Sequence, residues 1–318
     1  MKSRLIINPV SGTDSGASVV TTINARLREF VGAMDIVITT CQGDAARAAE
    51  AAVRDEYDHL FVAGGDGTLN EVINGVGASA GGFEQVTFGL IPLGTGNDFA
   101  TALGIPADLD EGLAAMSAGE RVSVDVGRVN DRYFINVSAG GFIAEVSDAV
   151  DPRLKTLAGK FAYLIGGAQT LFSHTPVSAR VRTSTGQDAH LSLMTFAICN
   201  SRLIGGGRLI APDALVNDGL FDVCLIQEMP VVEFVALLTR VSKGEHVGDE
   251  RVSYFRTPDV EMTFDCPTKV NTDGEVLEVA TCRYQLLPAA LRFIAPATAP
   301  GGSTNADSAA GQGNARRA

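Results

Sequence analysis

Residues 59–71 read HLFVAGGDGTLNE. His59 to Ala63 is a short apolar run, which predicts a β-strand. Gly64-Gly65-Asp66-Gly67 interrupts it, and Thr68 to Val76 resumes at helical spacing. A strand that passes through glycines into a helix lets a ligand approach bare backbone. The helix N-terminus then offers free N–H groups to a phosphate. Taken alone, the segment also reads as a tight turn with an N-cap at Asp66 or Thr68. It matches neither the Walker A pattern, since no Gly-Lys-Ser/Thr follows, nor GxGxxG.

The same alternation extends on both sides. Arg4 to Ile7, Met34 to Thr39 and Thr87 to Ile91 read as strands, and Gly16 to Phe30 and Asp44 to Val53 as helices. Strand–helix alternation predicts an α/β domain with a parallel sheet covered by helices on both faces. Ligands bind such sheets beyond the carboxyl ends of the strands, where residues 64–67 and 94–96 fall. After about Glu120 the pattern changes. Arg121 to Val129 alternates, with Val122, Val124 and Val126 on one face and Ser123, Asp125 and Gly127 on the other. Strand-like runs follow at 132–137, 177–183, 190–199, 220–226, 252–255, 260–264 and 284–287, with helices around Leu154–Phe172 and Val231–Val241. This predicts a second, mostly antiparallel β domain. The expected division is residues 1–125, residues 126–290, a chain end at 291–295 returning to the first domain, and a disordered tail over 296–318.

Composition narrows the function. With 46% hydrophobic and 19% charged residues, 318 residues can bury a core of about two domains. A net charge of −12 excludes a general basic surface for nucleic acid and a purely electrostatic hold on anionic lipid. Cys41, Cys199, Cys224, Cys266 and Cys282 have no CxxC spacing, so scattered reduced thiols are expected rather than a zinc site or a disulfide framework. Leu5-Ile6-Ile7 is too short for a signal peptide, and no run is long enough to span a bilayer. A cytoplasmic protein is expected.

Two further glycine-rich segments follow strands: Asn8-Pro9-Val10-Ser11-Gly12 and Pro92-Leu93-Gly94-Thr95-Gly96-Asn97-Asp98-Phe99-Ala100. Three polar glycine loops on one sheet edge look like a nucleotide cradle. Asp66, Asp98 and Asp125 add carboxylates, which suit a triphosphate site when they hold Mg²⁺. Each also has a plainer reading: Asp66 as an N-cap, Asp98 as the start of a short helix, Asp125 facing solvent from its strand.

In this order, NPVSG, GGDGTLNEVINGV, PLGTGNDFA, Asp125 within VDVG, PDALVNDGLFDV (212–223) and TDGE (272–275) resemble the diacylglycerol kinase catalytic family. The likeness is to the small bacterial lipid kinases, including the YegS-like ones, and runs to about Pro296. GGDGT alone is shared with NAD kinases; PLGTGNDFA and TDGE select the lipid-kinase branch. The resemblance implies ATP lying between an N-terminal α/β domain and a C-terminal β-sandwich. It implies nucleotide contacts from Asn8, Pro9, Val10, Ser11, Gly12, Thr39, Gly64, Gly65, Asp66, Gly67, Thr68, Leu69, Asn70 and Thr95. Asp66, Asp98 and Asp125 match the family's acidic cluster around Mg²⁺, and Glu275 its general base. Asp273-Gly274 equally reads as a type I′ hairpin, whose tip would deliver Glu275 into the cleft. Leu215, Asp218 and Leu220 resemble a structural Mg²⁺ site, where an Asx turn is the plainer reading.

The function so implied is Mg²⁺-dependent transfer of the γ-phosphoryl group of ATP to diacylglycerol or a similar lipid. The alternatives are a sphingosine- or ceramide-type kinase, an NAD kinase, and a nucleotide-binding regulator without catalysis. The implied partner is a lipid at the membrane surface, met transiently, with 154–172 as candidate contact. No nucleic acid is expected. A homodimer is allowed for, and the sequence leaves the oligomeric state open.

Overall fold

The computed structural model describes residues 2–11, 17–149 and 174–296. Gly12, the expected helix at 154–172 and the tail beyond 296 lie outside the described residues.

The first part alternates β1 (Ser3–Ile7), α1 (Ala17–Val31), β2 (Met34–Ile38), α2 (Asp44–Arg54), β3 (His59–Gly64), α3 (Asp66–Gly77), α4 (Gly82–Gln85) and β4 (Thr87–Pro92). The strands are parallel in the order β2-β1-β3-β4. β3 and β4 are buried along their whole length, as a run of apolar residues flanked by helices on both faces must be. In α2 the buried side is Ala45, Ala49, Ala52 and Val53, the helical repeat that lets it lie against α3. Two helices follow, α5 (Asp98–Ala102) and α6 (Leu109–Ser117).

The second part holds β5 (Glu120–Val129), β6 (Arg132–Phe134), β7 (Val137–Gly141), α7 (Phe142–Ala149), β8 (Val177–Arg182), β9 (Asp188–Cys199), β10 (Leu203–Ile204) and β11 (Arg208–Leu209). β12 (Phe221–Gln227), α8 (Val231–Val241), β13 (Val252–Thr257), β14 (Asp259–Thr272) and β15 (Glu275–Ala295) complete it. Pairing is antiparallel, and β9-β7-β14-β8 close on β9 again. This sandwich encloses an apolar core in which Phe134 stacks on Phe221 and Phe196 on Phe264. Alternate residues of β12 face two cores. Phe221, Val223 and Leu225 point inward, while Cys224 and Ile226 meet α8.

β15 joins the two parts. It starts at the hairpin with β14, pairs with β5, and ends beside β4, with Phe293 and Ile294 parallel to Phe88 and Gly89. One continuous sheet therefore runs through both parts. The expected strand over 132–137 is broken in two at Ile135-Asn136. The carboxylate of Asp273 takes the N–H groups of Ile135, Asn136 and Val137, so these residues turn toward the hairpin instead of extending the ladder.

Candidate active site

Three loops at the carboxyl edge of the parallel sheet touch. Leu93 N–H donates to the Gly64 carbonyl at 3.0 Å, which brings the loop after β4 onto the start of α3. Gly65 and Gly94 meet backbone to backbone: a Cβ on Gly94 would lie 2.7 Å from Gly65 Cα, so any larger residue is excluded. Asn8 Nδ2 reaches Thr68 Oγ1 at 3.2 Å and joins the loop after β1 to the same place. Thr95 lies exposed at the rim, Gly67 is exposed, and Gly65 and Asp66 are half-buried. Exposed glycine backbone at the N-terminus of a 12-residue helix is a surface suited to phosphate.

Of the nucleotide residues expected at 64–68, Gly65, Asp66 and Gly67 are open at this surface, while Gly64 and Thr68 are buried beneath it. Leu69, Asn70 and Thr39 have their polar groups engaged elsewhere. Leu69 is in the core, and its N–H is used by Gly65. Asn70 is buried, with its side-chain oxygen held by Asn74. Thr39 spends both its N–H and its hydroxyl on the Ile7 carbonyl. Pro9, Val10 and Ser11 form a turn begun by the Asn8 side chain, with Val10 exposed.

Asp66 accepts the N–H groups of Asp98 and Phe99 at 3.0 and 3.1 Å, so it caps α5 across the crevice. Asp98 in turn accepts the N–H groups of Gly206 and Gly207 at 3.0 and 2.8 Å. Gly205, Gly206 and Gly207 all have positive φ, at 61°, 82° and 102°, and form the turn between β10 and β11. Consecutive left-handed residues aim neighbouring amides at one carboxylate, a conformation open to glycine at little steric cost. Burial, reinforced by the Asp66 charge, pushes the Asp98 carboxyl above its usual range.

Asp125 departs from its plainer reading. It does not face solvent, being 1% exposed, and both its oxygens are taken by backbone N–H groups, Gly219 at 2.8 Å and Ala289 at 2.6 Å. Burial pushes its carboxyl up, and its charged neighbour is Asp218 rather than Asp66. The expected acidic triad is thus divided between two clusters.

The hairpin over Thr272–Glu275 takes the type I′ form expected of Asp-Gly, with positive φ at Asp273 (46°) and Gly274 (96°). Its position is set by Asp273, whose carboxylate accepts N–H groups from Ile135 at 2.7 Å, Asn136 at 3.2 Å and Val137 at 2.9 Å. Burial raises this carboxyl to about 6. Asn136 is the link to the glycine loops. Its Nδ2 donates to Asp66 Oδ1 at 3.3 Å, and its Oδ1 accepts from the buried Ser201 hydroxyl. Glu275 follows at the hairpin tip and pairs with Arg132.

Sequence reasoning missed Asn136, Asn200, Ser201, Asp273 and the triple glycine. Asn200 donates to the carbonyls of Asp125 and Ile135 and so spans both clusters. The available signals were an Asn interrupting a β run, Asn-Ser closing a long apolar strand, and three successive glycines.

At the second proposed metal site, Asp218 is already engaged. Its Oδ1 accepts the Leu220 N–H at 3.1 Å, and its Oδ2 lies 3.6 Å from the Arg256 guanidinium. The Asx turn is present, and the Arg256 guanidinium is a cationic neighbour of Asp218. Among the described residues no group of three or more His, Cys, Asp or Glu side chains is arranged for a metal. Asp66 and Asp98 fit Mg²⁺ better. They are neighbouring carboxylates beside exposed backbone, and such a cation needs only one or two carboxylates plus phosphate oxygens.

Comparison with known proteins agrees with this architecture. Residues 2–129 match the diacylglycerol kinase catalytic domain, and residues 136–295 the YegS C-terminal NAD kinase beta sandwich-like domain. The chain is 34% identical over 275 residues to the diacylglycerol kinase of Bacillus subtilis (strain 168), covering 86% of this chain and 89% of that one. It is 34% identical over 274 residues to that of Staphylococcus carnosus (strain TM300), covering 86% and 88%. A diacylglycerol kinase structure from Bacillus anthracis str. Sterne shares the fold, with a TM-score of 0.78 at 24% identity over 92% of this chain and 96% of that one. The chain belongs to the diacylglycerol kinase family. It is a phosphotransferase with an alcohol group as acceptor, and membership of this kinase family implies ATP as the phosphoryl donor. Among the described residues no helix is long and apolar enough to cross a membrane.

Proposed function

We propose that this chain transfers the γ-phosphoryl group of ATP to the free hydroxyl of diacylglycerol, giving phosphatidic acid, with Mg²⁺ and with Glu275 as general base. One observation carries the reading: the chain of contacts from Asp66 through Asn136 to Asp273, which fixes the Glu275 hairpin to the phosphate-facing loops. A phosphoryl transfer needs its donor and an acceptor-side base in one cleft, and little other covalent machinery.

In this reading the backbone of Gly64 to Thr68 and the rim at Thr95 hold the phosphates. Mg²⁺, when bound at Asp66 and Asp98, would neutralise phosphate charge. Glu275 takes the proton of the lipid hydroxyl as its oxygen bonds to the γ-phosphorus and the bond to the ADP oxygen breaks. Asp273 and Asn136 keep the hairpin in place. The acceptor reaches the cleft from a membrane surface.

Labelled ATP–Mg²⁺ offered to mixed micelles of diacylglycerol, sphingosine, ceramide or phosphatidylglycerol, with NAD as control, tests this. The expected result is label in phosphatidic acid, lost in Glu275→Gln. Label in another lipid would change the substrate and keep the chemistry. Label in NAD, or none anywhere, would overturn the proposal.

A further inference from the structure

Glu275 does not stand free at the hairpin tip. Its Oε2 makes an ion pair with Nη1 of Arg132. No other hydrogen bond or ion pair engages this carboxylate among the described residues. The remaining oxygen, Oε1, is left over.

Arg132 is held on both sides by side-chain clamps. Before it, the β5–β6 turn is fixed to β15 by Asn130. This residue donates from its N–H to the Arg283 carbonyl, donates from Nδ2 to the Thr281 carbonyl, and accepts the Arg283 N–H. After it, Tyr133 is fixed to α3 by Asn74, which accepts the Tyr133 N–H and donates to its carbonyl, both at 3.0 Å. Asn130 adopts φ 51° to make the turn. Arg132 lines a cavity of about 160 Å³ together with the polar Asn130, Asp131 and Thr272 and the apolar Val129, Val270 and Leu277. Exposed ion pairs between long, loose side chains contribute little. A guanidinium whose backbone is fixed from two directions orients its partner at small further entropic cost.

Other charged groups lie on the elements around this tip: Asp273 in the hairpin turn, Asp131 in the β5–β6 turn, Asp66 on α3, and Glu145 on α7, which is paired with His174. Lys269 and Glu278 face each other farther down the hairpin. Arg132 is the ion-pair partner of Glu275.

We infer that Arg132 is a positioning residue for phosphoryl transfer. It occupies Oε2 of Glu275 and fixes the carboxylate so that Oε1 meets the acceptor hydroxyl. This rests on Glu275 being the base, so the test separates the two claims. Transfer from labelled ATP–Mg²⁺ is measured for wild type, Arg132→Gln, Glu275→Gln and the double variant, with the panel lipid that takes label.

Arg132→Gln should lower kcat by roughly tenfold or more and leave the KM for ATP within about twofold. Arg132→Lys should recover part of the loss. In the Glu275→Gln background, Arg132→Gln should cost nothing further, because its effect runs through the absent carboxylate. Loss by the same factor in both backgrounds, or no loss in either, overturns the inference and leaves the base in place. Full activity of Glu275→Gln, or no labelled lipid at all, overturns both. Thermal melts accompany each variant. If Arg132→Gln does not fold, Arg132→Lys is taken through the same cycle, with a loss expected only where Glu275 is intact.

Discussion

Two aspartate clusters lie in this molecule, and they are built differently. At the glycine loops, Asp66, Asp98 and Asp273 accept backbone N–H groups from segments across the cleft, and Asp66 and Asp98 do so beside exposed glycine backbone. Under the 213–222 loop, Asp125, Asp218 and Asp222 also accept N–H or O–H groups, but there Arg256 lies between Asp218 and Asp222, and Tyr254 donates to Asp222 at 2.6 Å. Asp222 is fully buried, and burial pushes its carboxyl up. The second cluster carries its own cation; the first has glycine where a cation and phosphates would fit. Acidic residues in a family-like motif do not by themselves make a metal site. What else already neutralises them decides it.

The difference can be broken most directly at the proposed base. Glu275→Gln should lower kcat by about 10²–10⁴-fold while leaving the urea midpoint nearly unchanged, because its side chain is part-exposed. A large loss of stability with intact turnover would make the hairpin tip structural. In the other cluster the expectation is reversed. Arg256→Met leaves Asp222 buried without its cation and should cost about 3–5 kcal/mol in urea unfolding, with KM for ATP unaffected in whatever protein remains folded. A selective loss of ATP binding would join the two clusters again.

Asp273 sharpens the comparison through pH. Its carboxyl is raised to about 6, so the folded protein holds this proton more tightly than the unfolded chain does. Its contribution to stability is therefore greatest below the unfolded value and is lost as pH rises through about 6. From about pH 4 to about pH 7, wild type should lose ground to Asp273→Asn by up to about 3 kcal/mol, less any share screened by water. Parallel unfolding curves at both pH values would contradict this. The smallest effect concerns metal. With Arg256 in place, chelation in the absence of nucleotide should move the melting temperature by less than about one degree, whereas ATP–Mg²⁺ should raise it by several. A clear drop on chelation alone would show that the 215–220 loop holds a cation after all.

Much of the molecule was legible in advance, for identifiable reasons. The parallel sheet is written in buried runs such as LFVAG (60–64) and in the alanine repeat of α2. The hairpin at Asp273-Gly274 followed from a turn type that only such residues adopt readily. The carboxylate partners were hidden. The sequence reading left Asp125 on a solvent-facing side because its strand alternates, yet β15 and the 215–220 loop cover that side. The break at Ile135-Asn136 was invisible because its cause, the Asp273 carboxylate, lies 138 residues away from Ile135 along the chain.

Local pattern thus determined which segments become strands, helices and glycine turns, since periodicity, turn chemistry and helix ends depend on neighbours in the chain. It also supplied the ordered motifs that resemble the lipid kinases. Only the tertiary structure decided which carboxylates share a cluster, which are already satisfied, and which arginine meets Glu275. A carboxylate's state depends on the donors and charges within a few ångströms, and here those come from distant strands that β15 draws together.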